Sequence, residues 1–206
     1  MMMTDKFNDK QGVLLQGHIK IHNPETGEIL VDKRNAIHYE NMSISLAESL
    51  SNQGQGMVYQ MAFGNGGTNV DPTGIITYLS PNSTGTNASL YNQTYAKVID
   101  NNNVNNVDPT RNKLETRHVS GTNYTDIVAT CLLDYGEPSG QDALDNATAN
   151  DSLYVFDELG LVSYATSGTG RLLTHVIFHP VQKSLNRLIQ IDYTVRVQSL
   201  TGFNEV

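Results

Sequence analysis

Residues 189–198 read IQIDYTVRVQ. Ile189, Ile191, Tyr193, Val195 and Val197 fall on one side of an extended chain, and Gln190, Asp192, Thr194, Arg196 and Gln198 on the other. Alternation sustained over this length marks a strand with one face in a core. The same period recurs upstream. Thr125, Ile127, Ala129, Cys131 and Leu133 share a face in NYTDIVATCLLD, and Leu15, Gly17, Ile19 and Ile21 share one in QGVLLQGHIKIH. EILVDK returns from the latter across the turn NPETGE, so the two read as a hairpin. RLLTHVIFHP is apolar on both faces, which predicts a central strand.

MVYQMAFG places Met57, Tyr59, Met61 and Phe63 together, and YNQTYAKVID, KLETRHVSG and LYVFDELGLVSY add further strands. One helix is predicted over residues 38–52, where Met42, Leu46 and Leu50 recur every four residues before Gly54. Between these elements lie three long polar loops, residues 64–89, 100–112 and 135–152. The expected fold is mostly β: an antiparallel β-sandwich with one N-terminal α-helix packed on it. It forms a single domain over residues 12–200, after a flexible arm at 1–11 and before a tail at 201–206.

Composition narrows the function classes. The 206 residues include 21 Asn and 19 Thr but only 17% charged residues, which favours turns and strands over long helices. The net charge of −8 argues against nucleic acid as a partner. All of it falls between His118 and Gly170, a window with eight acidic residues and no Lys or Arg. That window reads as a solvated acidic loop, or as a patch for a basic protein surface or for cations. Cys131 stands alone, so no internal disulfide and no Cys-rich zinc site is available. The start, MMMTDKFNDKQG, lacks the apolar stretch of a secretory signal, and no apolar run reaches membrane-spanning length. Six N-x-S/T sites are expected by chance in so Asn- and Thr-rich a chain and are given no role.

Catalytic constellations do not assemble from the sequence. His18 and His22, like His175 and His179, are four apart, but in strands that spacing spans about 13 Å and no single metal joins either pair. Cys131 lies on an apolar strand face, as a small core residue does. There is no G-x-S-x-G elbow. Thr68, Asn69 and Val70 follow the glycines of FGNGGTN where a phosphate loop needs Lys and Ser or Thr. DNNNVNNVD, residues 100–108, lacks the ligand pattern of a calcium loop. Asp157 and Glu158 are adjacent, so regular alternation would send them to opposite faces. The expectation is a protein with no catalytic residue, metal or cofactor.

The order of motifs carries more than any one of them. A helix precedes a strand ending in FGNGGTNVDPT (Phe63–Thr73). LYNQTYAKVID (Leu90–Asp100), VFDELGL (Val155–Leu161), GRLLTHVIFHPVQKS (Gly170–Ser184) and LIQIDYTVRV (Leu188–Val197) follow. This order resembles the N-terminal attachment domain of tail-collar fibre proteins of tailed bacteriophages, over about residues 38–198. Val162 stands where that family often has Phe, residues 135–152 look like an insertion, and the hairpin 12–34 is extra. The chain stops just past the last strand, so the resemblance implies the attachment module used alone, without a shaft or tip.

What the resemblance implies is a virion structural subunit of adaptor, collar or baseplate type, made in the host cytoplasm. It would be a homo-oligomer bound to other virion proteins, with no nucleic-acid or membrane partner. A head decoration or head-tail connector subunit is the nearest alternative. Gly64, Asn65, Gly66, Gly67, Asp71 and Pro72 in the Gly-rich loop, with Glu158, Gly160 and Leu161, are the candidate assembly loop and turn. A carbohydrate-binding module is the rival from another class; without Trp it would have to use Tyr78, Tyr91, Tyr95, Tyr124 or Tyr135 as its stacking face.

Overall fold

Each alternating segment becomes a strand because a neighbouring segment takes up its backbone groups while its apolar side chains leave water. The structure, a computed structural model, describes residues 12–139, 154–166 and 170–200. The arm 1–11, the tail 201–206 and most of the loop 135–152 lie outside the described residues. The elements are β1 (Gly12–His22), β2 (Ile29–Ile37), α1 (Tyr39–Leu50), β3 (Val58–Gly64), β4 (Thr68–Val70) and β5 (Ile76–Tyr78). Then come β6 (Gln93–Val98), β7 (Lys113–His118), β8 (Tyr124–Leu133), β9 (Val155–Ser163), β10 (Thr174–Gln182) and β11 (Ile189–Leu200).

Nine strands form one antiparallel sheet in the order β6-β3-β9-β10-β2-β1-β11-β8-β7, and β4 and β5 pair as a separate hairpin. β11, third from the β7 end, is the longest strand. It pairs with β1 from Gly12↔Leu200 to His22↔Gln190, and with β8 from Ile189↔Leu133 to Gln198↔Tyr124. β10 and β2 meet only through Thr174↔Ile37 and His175↔Ala36. The sheet curls, and Phe63, Phe156 and Phe178 from one half line the same interior gap as Ile21, Leu133, Ile189 and Ile191 from the other. The mostly β, antiparallel, one-helix expectation holds. What is seen is one large curled sheet whose strands are joined in one continuous order, and the sandwich is not confirmed.

The core contains the residues that alternation selected: Ile19, Ile21, Ala129, Cys131, Leu133, Ile189, Ile191, Tyr193 and Val195. Met42 is buried in it and Leu46 packs against it. Leu50 is 89% exposed, because the apolar stripe of α1 reaches the core only through Met42 and Leu46.

β6 and β7 lie at opposite ends of the strand order, yet residues 99–112 connect them. Asparagine side chains satisfy backbone groups along this connection and at its contact with β8, and Lys97 of β6 reaches β8 directly. The Leu132 N–H donates to Asn112 Oδ1 at 2.9 Å, and Asn106 Nδ2 donates to the Asn112 carbonyl at 2.7 Å. Lys97 Nζ donates to the Leu132 carbonyl at 2.7 Å and also meets the Glu137 carboxylate. A primary amide carries a donor and an acceptor of peptide type, so it substitutes for backbone where no strand fits. In the same loop Asp100 and Asp108 accept from the N–H groups of Asn102, Thr110 and Arg111, so both carboxylates serve local turns.

Asn112→Ala leaves the buried Leu132 N–H without its acceptor and is expected to cost about 1–3 kcal/mol in urea unfolding. Asn105→Ala, at an exposed position in the same loop, is expected to change stability by less than about 0.5 kcal/mol.

Candidate functional site

β9 is buried along its whole length, between β3 and β10. It nevertheless carries Asp157 and Glu158, which are 3% and 0% exposed. A buried carboxylate persists only when hydrogen bonds replace its water. Here they come from the chain excursion that leaves β3 at Gly64 and returns at β6. Glu158 Oε1 accepts from the N–H groups of Gly66 (3.1 Å) and Asn92 (2.8 Å). Its Oε2 accepts from the Tyr91 N–H and from His175 Nε2, both at 2.9 Å. Asp157 Oδ1 accepts from Gly67 N–H at 2.8 Å, and Oδ2 from the Thr68 N–H at 2.9 Å and the Thr68 hydroxyl at 2.5 Å.

The two carboxylates therefore grip one loop, against the expectation that adjacent residues face apart. The reason lies in the pairing. Val176↔Leu159 and Ile177↔Glu158 give way to Val181↔Phe156, so β10 spends extra residues, including Pro180, opposite this point. Phe156 is in the core, and so are Leu159 and Leu161, so the inward-facing phase changes across the acidic pair. A bulge re-aims side chains in this way, and proline is tolerated where the ladder is interrupted.

His175 is fully buried and its roles are fixed by its neighbours. Nδ1 accepts from the Asn82 N–H at 2.8 Å, so the neutral ring carries its proton on Nε2 and donates it to Glu158. His38, at the N-terminus of α1, repeats the pattern. Its Nδ1 accepts from the Asn41 N–H at 3.1 Å, while Nε2 donates to the Gly85 carbonyl at 3.0 Å. The Gly85 N–H donates to Glu40 Oε2 at 3.2 Å. Two imidazoles and three carboxylates thus hold residues 66–92 against the sheet.

The glycines are required by space and not by φ. A Cβ on Gly64 would lie 2.5 Å from Glu158 Oε1, and one on Gly66 2.7 Å from the Asn92 nitrogen. On Gly160 it would lie 2.3 Å from the Thr174 carbonyl oxygen. Asn65 is bound to Asn92 through its backbone N–H and its side chain. Leu161 is a core residue whose N–H donates to Thr174 Oγ1. Asp71 and Pro72 stand apart from the clamp, at the exposed tip of the β4–β5 hairpin, where Asp71 Oδ1 accepts from the N–H groups of Thr73 and Ile75. Sequence reasoning missed Asp157, His175 and His38 as members of this site. Buried polar residues within an apolar strand were the available signal.

Other candidates are committed elsewhere. His18 pairs with Asp32 at 2.8 Å and His22 with Asp192 at 2.9 Å. Burial pushes the Cys131 thiol up to about 12. Within the acidic window Asp126 meets Arg196, Asp134 meets Arg111 and Glu137 meets Lys97. Those three acids are paired, while Asp142, Asp145 and Asp151 of the same window lie outside the described residues. Among the described residues no three His, Cys, Asp or Glu side chains group as metal ligands, and no helix is long and apolar enough to cross a membrane. No family model, no curated protein and no solved structure compared with this chain gives a match.

The two carboxylates respond oppositely to pH. Burial raises the Asp157 pKa, and the bonds from Thr68 and Gly67 only partly offset it. Burial also pushes Glu158 upward, but the bonds from His175, Asn92 and Tyr91 outweigh it and leave the pKa below its ordinary value. The stabilisation from Glu158 is therefore present above the ordinary carboxylate range and is lost as pH falls, whereas the Asp157 contribution has the opposite sign. Glu158→Gln is expected to cost about 3 kcal/mol near neutrality, because one acceptor oxygen becomes a donor facing N–H groups. That deficit should shrink as pH falls through the carboxylate range. Asp157→Asn should cost less than Glu158→Gln near neutrality, in urea titrations of both variants across that range.

Proposed function

We propose that this chain is a non-enzymatic structural subunit of a tailed-bacteriophage particle, of adaptor, collar or baseplate type. It assembles as a multimer and attaches to other virion proteins. The observation that carries the reading is what the clamp presents. The β4–β5 hairpin rises from the clamped loop with Val70 (41%), Ile75 (61%) and Tyr78 (53%) exposed and only Asp71 charged. Uncharged side chains on a rigid mount lose little on desolvation, which is what a contact between subunits requires. The titratable groups beneath are occupied by backbone N–H groups, so they support a scaffold better than a reaction. The resemblance of its motif order to tail-collar attachment domains supports the same class.

Light scattering of the purified chain over a concentration series, with and without EDTA, tests this reading. A defined multimer that survives EDTA and is broken by Ile75→Asp is expected. A wild-type chain that stays monomeric at every concentration, or a multimer indifferent to Ile75→Asp and Tyr78→Asp, contradicts the assignment of the hairpin as the contact.

A further inference from the structure

A second concave feature lies away from the hairpin, between the end of α1 and the clamped loop. It is a cleft of about 630 Å³. Its floor is apolar: Leu90, Val162 and Leu172, which with Ala62 form a small cluster separate from the main core. Gln55, Thr86, Asn87, Ser89 and Gln93 line it, and their side chains form no hydrogen bond with the protein among the described residues. Tyr164 adds an aromatic surface, held edge-on by Tyr59 with ring centroids 5.3 Å apart.

One wall of this cleft, residues 86–90, belongs to the excursion the clamp immobilises. Asn82 is fixed through its N–H on His175, and its side chain donates to the Ser89 carbonyl at 2.8 Å. Gly85 is held by His38 and Glu40, Ala88 N–H donates to the Gly85 carbonyl, and Tyr91 is anchored on Glu158. The wall is ordered before any ligand arrives, which removes a cost that binding would otherwise carry.

The lining selects the ligand class. Among the described residues that line the cleft Arg171 is the only charged one, and it already pairs with Glu48 at 2.7 Å, so an anion finds no free cation among them. β9 below is paired on both sides and offers an extended peptide no edge, and of the edge strand β6 only Gln93 lines the cleft. Amides and hydroxyls that both donate and accept, over an apolar floor with one aromatic face, match a neutral ligand with many hydroxyl groups and apolar C–H faces. We infer that this cleft is a binding site for neutral saccharides. None of the five tyrosines that sequence alone offered as stacking faces lines this cleft. Tyr95 packs on Phe63, Tyr124 lies under Arg196, Tyr91 bonds Ser80, Tyr78 bonds His179 and Tyr135 bonds Glu25.

The test is an NMR titration of the whole chain with cellobiose, chitobiose, maltose and lactose, with glucuronate as the charged control. The expected result is saturable shifts at the Asn87 and Gln93 side-chain amides for at least one neutral sugar, with Kd on the order of 1 mM. Asn87→Ala and Gln93→Ala, both at exposed positions, should each weaken binding about fivefold while the remaining spectrum stays that of the parent. No saturable shift with any neutral sugar, shifts centred outside the cleft, or a preference for glucuronate overturns the inference. Ile75→Asp should leave sugar binding unchanged, so this result and the assembly result stand or fall separately.

Discussion

A carboxylate with no access to water must be surrounded by donors, and Glu158 meets that demand with three backbone N–H groups and one imidazole. Much of this half of the molecule follows from that constraint. The donors come from both ends of one excursion, so satisfying Glu158 ties Gly66 to Tyr91 and Asn92 and closes the base of the loop. The approach is so close that Gly64 and Gly66 have no room for a side chain. His175 completes the shell, and its second nitrogen then fixes Asn82. The hairpin above and the cleft beside it are both built on this base.

The other half of the fold depends on amides. The curled sheet has β6 at one end and β7 at the other; Lys97 of β6 reaches the Leu132 carbonyl of β8, and Asn106 and Asn112 hold the connection 99–112 against β8. This gives the Asn-rich composition a physical meaning. Polar loops usually satisfy their backbone in water. Here several asparagines act as peptide substitutes inside the structure, while Asp71 and Asp108 shape exposed turns through the same side-chain-to-backbone geometry.

What could be read in advance follows from how local each signal is. β8 and β11 alternate cleanly for many residues, and their inward faces are the ones the sequence shows. The helix was legible for the same reason, except that Leu50 continues its spacing after contact with the core has ended. The Gly-rich loop and Glu158 were singled out through a resemblance of motif order, but as a loop and a separate turn and not as partners, and Glu158, Gly160 and Leu161 lie within strand β9. Their chemistry was hidden because Asp157 and Glu158 sit where the inward phase changes, and the extra residues responsible are on β10, not on β9. His175 takes the Asn82 N–H and His38 the Gly85 carbonyl, 93 and 47 residues away, which no residue pattern records. The curl was not legible either, since two residue pairs between β10 and β2 join its halves.

The central claim is that buried titratable groups make residues 66–92 part of the folded core and not a loop lying on it. Native-state amide hydrogen exchange tests it directly at Gly67, Asn82, Tyr91 and Asn92. If the clamp is as described, these amides exchange only with the global unfolding that releases Ile191 and Tyr193 in β11. If they exchange as fast as the exposed amide of Val104, the excursion is not clamped and the account of the hairpin and the cleft falls with it.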